Sequence, residues 1–174
     1  MEIEVKVLNK ELYGKGNEVI FPEDLPDYAT DGSAAIDLIS PETFSLRPRE
    51  SKKVFTGLAI HIGSAVRSMY GLFGHYSNYQ ANIAALVLPR SGLGSKGLVL
   101  ANVVGLIDED YQGELIVNCL YDNRDWRDCN ITIHEGDRFA QLMFLPIVKP
   151  VFKVVDEFTD STDRGTGGFN STGT

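Results

Sequence analysis

Seven prolines, at positions 22, 26, 41, 48, 89, 146 and 150, cut the chain into pieces too short for long helices, because each removes a backbone donor and crowds the preceding turn. Between them runs rich in Val, Ile, Leu and Phe recur at 3–8, 54–62, 83–88, 115–121, 139–145 and 150–155. Apolar runs of that length, bounded by Gly, Pro and Asp, are strands rather than helices. The rhythm predicts a small all-β domain with little helix beyond one turn over 91–96. Two stretches break it. Residues 63–79 carry Met69, Tyr70, Leu72, Phe73, His75, Tyr76 and Tyr79 among Gly and Ser, as in an aromatic-rich excursion between strands. From 160 to 174 Gly, Ser and Thr dominate, so no core forms there and a mobile arm is expected.

With 174 residues, 43% of them hydrophobic, the chain supports one ordinary core and hence one domain. A net charge of -8 opposes a broad grip on nucleic acid, which depends on many Lys and Arg contacts to phosphate. A polyanionic substrate therefore needs local cations. No apolar run reaches bilayer length, and no basic-then-apolar leader precedes the alternation Glu2-Ile3-Glu4-Val5-Lys6-Val7, so no membrane partner and a cytosol-like compartment are expected. Cys119 and Cys129 lack metal-site spacing and are expected as buried thiols. His61, His75 and His134 also lack ligand spacing and are expected as surface or packing residues.

Five segments carry the chemistry. In order they are Gly32-Ser33-Ala34-Ala35-Ile36-Asp37-Leu38, then Pro89-Arg90-Ser91-Gly92-Leu93, then Gly105-Leu106-Ile107-Asp108-Glu109-Asp110-Tyr111-Gln112-Gly113-Glu114. Gly136-Asp137-Arg138-Phe139-Ala140-Gln141-Leu142 and Arg164-Gly165-Thr166-Gly167-Gly168-Phe169-Asn170-Ser171-Thr172-Gly173 follow. In the second, a guanidinium and a hydroxyl stand beside a glycine that lets backbone N–H groups approach phosphate oxygens. Alone, that tetrapeptide is more often a surface turn with a solvated Arg. In the third, Asp108 sits between glycines in an expected hairpin. A carboxylate there orients and deprotonates water for in-line attack on phosphorus, or merely closes an Asx-turn.

Together the five segments resemble the ordered motifs of the trimeric dUTPase family, from about Ile3 to the C-terminus. The resemblance implies a distorted β-barrel or jelly-roll of the dUTPase-like β-clip type over 1–159, with an arm over 160–174 that closes on the active site of a homotrimer. It implies hydrolysis of dUTP to dUMP and diphosphate, which keeps uracil out of DNA and supplies dUMP for dTTP synthesis. Asp108 is then the general base. Arg90, Ser91 and Gly92 cradle phosphate, with Ser91 at the oxygen leaving the α-phosphorus. The Tyr111 ring lies beneath the deoxyribose and rejects UTP.

By the same resemblance, uracil is expected to be read between Asn102 and Ile116 by backbone groups and the Asn102 amide, with Leu106 and Ile107 also at the substrate, and the roles that follow are implied in the same way. Gln141 places its amide near the α-phosphate. Arg164, Ser171 and Thr172 meet the γ-phosphate while Phe169 stacks on uracil. Asp37 holds a water on the Mg²⁺ that the triphosphate chelates, or else caps or salt-bridges within the trimer. Asp137 and Arg138 are assigned to the fold or the trimer.

Three features depart from the family pattern. Asn170 replaces a glycine, the link at Lys96-Gly97 is a residue shorter, and segment 63–84 is longer. That segment enlarges the subunit contact, covers a sheet edge or binds a protein partner; burial is the plainest of these. Two rival functions stay open. A same-fold dCTP deaminase needs a glutamate in the strand after the third segment, about where Asn118 stands. A nucleotide-gated regulatory binding protein needs no catalysis. Cellular and viral origins stay open as well, the latter placing the protein in host cytoplasm.

Overall fold

Burial follows the sequence alternation strand by strand. In Glu114–Tyr121, the eighth strand of the computed structural model, Leu115, Val117, Cys119 and Tyr121 point into the core while Ile116 faces outward, the period-2 pattern of a sheet wet on one side. The structure describes residues 3–15, 19–63, 82–123 and 130–167. Their strands are β1 (Glu4–Val7), β2 (Ile36–Ile39), β3 (Phe44–Leu46), β4 (Ser51–His61), β5 (Asn82–Pro89), β6 (Leu98–Leu100), β7 (Gly105–Ile107), β8 (Glu114–Tyr121), β9 (Ile131–Ile133) and β10 (Arg138–Ile147).

Two four-stranded sheets run in the orders β1-β4-β8-β6 and β2-β10-β5-β7, and β3 pairs with β9. All these pairings are antiparallel. Among the described residues the sheets form the expected jelly-roll arrangement and do not close into a barrel. Leu38, Leu46, Val54, Ile62, Val87, Leu115 and Val117 fill the space between them, and Phe44 meets Phe139 edge-on at 6.4 Å.

Of the expected strands, 150–155 does not form: no strand or helix follows Ile147 among the described residues. Among the described residues its alternation has nothing to pack on, since Val151, Phe152 and Val154 are each more than nine-tenths exposed. Short helices occur at α1 (Lys10–Gly14), which the strand rhythm did not indicate, and at α2 (Ser91–Gly94), within the expected turn. Asn9 caps α1 by accepting the Leu12 N–H at 3.0 Å. The segment expected as an insertion lies outside the described residues except for its ends. No helix among the described residues is long and apolar enough to cross a membrane.

Cys119 is buried as expected, whereas Cys129 and His75 lie outside the described residues. Burial pushes the Cys119 thiol up to about 12, and burial followed by the nearby Glu114 carboxylate raises the Tyr13 phenol. Both groups hold their protons more tightly folded than unfolded. The resulting stability is complete below the ordinary thiol value of 9.0 and is lost as pH rises toward about 12. A melting series should therefore show Tm falling from about pH 9 upward, with Cys119 unreactive toward a thiol reagent until the chain unfolds. A Tm flat through that window contradicts the assignment.

Candidate active site

Register brings three of the sequence segments side by side. Gln141 of β10 stands opposite Asp37 of β2 on one side and Leu88 of β5 on the other. The chain leaving β5 therefore carries Arg90 back over Asp37. Arg90 Nε lies 2.7 Å from Asp37 Oδ1, and its Nη2 donates to Oδ2 at 3.4 Å. Arg138 Nη1 reaches the same Oδ2 at 3.4 Å, while Arg90 Nη1 donates to the Arg138 carbonyl at 3.1 Å. Asp37, 16% exposed at its side chain, is thus shared by two guanidiniums, and the cluster keeps an excess of positive charge within an acidic chain. Forked Arg–carboxylate contacts of this kind fix geometry as well as charge.

Arg138 extends the expected set. Its position in the fourth segment was visible, but only the pairing of β2 with β10 reveals that it shares a carboxylate with Arg90. Asp137 caps the turn into β10, accepting the His134 N–H at 2.8 Å, as its structural assignment implied. Gln141 donates from Nε2 to the Pro89 carbonyl at 2.9 Å, which anchors the start of the second segment. Beyond it, Leu93 and Gly94 direct their N–H groups to the Arg90 carbonyl. Ser91 and Gly92 therefore head the α2 turn, where helix geometry supplies no intrahelical acceptor. A side chain at Gly92 would meet nothing within 4 Å, so the space beside the turn is open.

Asp108 belongs to a second group. It follows β7, which pairs with β5, whereas β8 lies in the other sheet. The expected Gly105-to-Gly113 hairpin is therefore a crossover between sheets, held by a turn in which the Tyr111 N–H donates to the Asp108 carbonyl at 3.2 Å. Asp108 is exposed, and no hydrogen bond or ion pair among the described residues engages its carboxylate. Its neighbour Glu109 ties the turn down: the carboxylate pairs with Lys149 and the carbonyl accepts the Gly63 N–H at 3.1 Å. Tyr111 donates its hydroxyl to the Glu114 carbonyl at 2.9 Å.

Asn102 sits in the exposed turn between β6 and β7. There Val104 N–H donates to the Asn102 carbonyl at 2.6 Å and Val103 takes a φ of 64°, a costly conformation for a β-branched residue and one that concentrates at functional sites. Leu106 and Ile116 are exposed, and Ile107 is half-buried in β7.

Within one chain the two groups stand apart. Ile107 pairs with Ala85, so Asp108 continues past Ala84, six residues along β5 from Arg90. At roughly 3.3 Å per residue that is about 20 Å. Arg164 joins neither group: its Nε donates to the Gly167 carbonyl at 3.0 Å, inside its own turn. Phe169, Asn170, Ser171 and Thr172 lie outside the described residues. Among the described residues no set of three His, Cys, Asp or Glu gathers into a metal cage.

A family model described as dUTPase matches residues 22–173. A deoxyuridine 5'-triphosphate nucleotidohydrolase of Shewanella oneidensis is 47% identical over 175 residues, covering 99% of this chain and 97% of that protein. The dUTPase of Staphylococcus bacteriophage 80alpha with dUPNHPP superposes with a TM-score of 0.73 at 27% identity, covering 99% of each chain. A mutant dUTPase of Staphylococcus aureus phage phi11, described with a structural Mg(II) ion, shares the fold at a TM-score of 0.66 and 24% identity, over 92% of this chain and 100% of that one. The ordered segments, the jelly-roll that positions them and the near full-length identity agree, and the chain belongs to the dUTPase family.

Proposed function

We propose that the chain hydrolyses dUTP to dUMP and diphosphate, with Asp108 orienting and deprotonating the water that attacks the α-phosphorus. The observation that carries the assignment is the contrast between two motif carboxylates. Asp37 is paired with Arg90 and Arg138, whereas Asp108 is exposed on an anchored turn with no described partner. A carboxylate held by two guanidiniums has its oxygens already engaged; an unpaired one on an anchored turn is free to orient the attacking water and to take its proton as the bond to phosphorus forms.

Arg90 and the open backbone of Ser91 and Gly92 then take the phosphates. Gln141 steadies that loop through Pro89 and retains a second amide hydrogen for the α-phosphate. Tyr111 floors the sugar, with Asn102, Leu106, Ile107 and Ile116 around the base. Arg164, Phe169, Ser171 and Thr172 close over the nucleotide as the arm folds in.

Mg²⁺, chelated by the triphosphate, withdraws charge from the phosphate oxygens when bound. An Asp37 partly neutralised by two guanidiniums, with no metal-binding cluster among the described residues, fits contact through a water, in keeping with the reluctance of Mg²⁺ to dehydrate.

We further infer a homotrimer whose sites are shared between chains. The separation of about 20 Å between Asp108 and Arg90 along β5 leaves neither group a complete site within one protomer. The bare apolar run after β10, with Val151 96%, Phe152 93%, Val154 95% and Phe158 90% exposed, calls for a neighbouring surface to cover it.

The test is a nucleotide panel of dUTP, dCTP, dTTP and UTP with Mg²⁺, read as pyrophosphate and ammonia, alongside native mass. Pyrophosphate from dUTP alone, by an assembly three times the 19.2 kDa chain, is expected. Ammonia from dCTP makes the protein a deaminase, and a monomer that turns over dUTP removes the shared site.

A further inference from the structure

Gly113 poses a question that its backbone does not answer. It is not among the residues with positive φ, so no left-handed conformation demands glycine there. What demands it is the Tyr111 ring. A Cβ built on Gly113 would lie 2.4 Å from Tyr111 Oη, 2.5 Å from Cζ and 2.9 Å from Cε2, far inside van der Waals contact. The ring thus folds back over the bare Cα of Gly113, and its hydroxyl is tethered one residue further on, to the Glu114 carbonyl at 2.9 Å. The other end of the side chain is fixed as well, since the Tyr111 N–H closes the turn onto the Asp108 carbonyl.

We propose that the seat formed by Gly113 and the Glu114 carbonyl sets the height of the Tyr111 ring, and that Gly113 is thereby a positioning residue for discrimination between deoxyribose and ribose. The inference rests on the proposed reading of Tyr111 as the floor of the sugar site. A 2′-hydroxyl is excluded only by a surface held at van der Waals distance, so a ring free to tilt outward loses selectivity before it loses binding. Tyr111 is 38% exposed, so a ring driven off its seat can swing toward solvent. The contact that a methyl group would create is with the far end of a side chain rather than with backbone, so the substitution moves the ring and leaves the fold standing. Oligomer and melting temperature are therefore expected to change little.

The experiment measures kcat and KM for dUTP and UTP in the parent, Gly113→Ala and Tyr111→Phe, together with Tm and native mass. In Gly113→Ala the ratio of kcat/KM for dUTP over UTP should fall at least about tenfold, on the scale by which a pocket rejects or admits one hydroxyl, with kcat for dUTP within about threefold of the parent. Tyr111→Phe, which keeps the ring and removes only its tether, should show a smaller fall in the same ratio. An unchanged ratio in folded Gly113→Ala overturns the proposal, as does a parallel loss on both nucleotides that leaves the ratio intact. Should Gly113→Ala fail to assemble, Tyr111→Phe decides: a reduced ratio supports the seat and an unchanged ratio removes it. A parent that does not prefer dUTP over UTP refutes the reading of the site itself, a different result from a selective parent whose variants stay selective.

Discussion

Asp108→Asn should fold, assemble and bind dUTP like the parent, yet release pyrophosphate about a thousandfold more slowly. The side chain is exposed and no described residue engages its carboxylate, so the change of one oxygen for an amide removes no packing and leaves no stranded charge. The turn beneath it is held by Glu109 to Lys149 and by the Tyr111 N–H, neither of which the substitution touches. What disappears is the ability to accept a proton from the attacking water, because an amide orients water but is not a base. Pre-steady-state measurement of pyrophosphate formation, with KM followed in parallel, reads the effect on chemistry apart from binding. A variant within tenfold of the parent would move the base elsewhere. Asp37→Asn is the contrasting case: it strips Arg90 and Arg138 of their shared anion, so substrate affinity and Tm should change together with rate.

That contrast also marks how far the sequence could be read. The long strands β4, β5, β8 and β10 announced themselves, because each must bury one face over many residues. Strands of three or four residues, such as β3, β6, β7 and β9, carry too little alternation to stand out. They exist because a neighbour supplies their hydrogen bonds. The run 150–155 misled for the opposite reason: it has strand composition, but no partner among the described residues of its own chain.

At the site, the motif residues were legible one by one, whereas their grouping was not. Pairing of β2 with β10 put Arg138 on Asp37, and pairing of β7 with β5 carried Asp108 away from Arg90. Both are long-range consequences of register. Local propensity is silent on them, and so is the spacing of the motifs.

The largest loss of stability should come from Gly57→Ala, outside every motif. Gly57 lies in the register shift that interrupts the pairing of β4 with β8 between Phe55 and Ala59, just before β4 begins to pair with β1 at Leu58, at a φ of 77°. Its carbonyl accepts the Leu8 and Asn9 N–H groups at 2.7 and 3.2 Å, and its own N–H donates to Glu114 Oε1 at 2.7 Å. Next to it the Thr56 carbonyl accepts the buried Tyr13 hydroxyl at 2.8 Å. A methyl group at 57 would stand 2.5 Å from Asn9 Cβ and 3.4 Å from Asn9 N, so α1 must move and carry Tyr13 with it.

Strain at positive φ costs about 1 kcal/mol and overpacking a further ~1–3 kcal/mol. Together they lower Tm by about 5–15 °C for a chain of this size. Gly136 provides the internal control. Its φ of 83° is similar, but a side chain there meets nothing within 4 Å, so Gly136→Ala should show the backbone cost alone. Equal losses at the two positions would mean that crowding against Asn9 contributes nothing. A loss at 57 that exceeds the one at 136, accompanied by weaker selection against UTP, would trace the damage through Glu114 to the start of β8 and so to the seat of Tyr111.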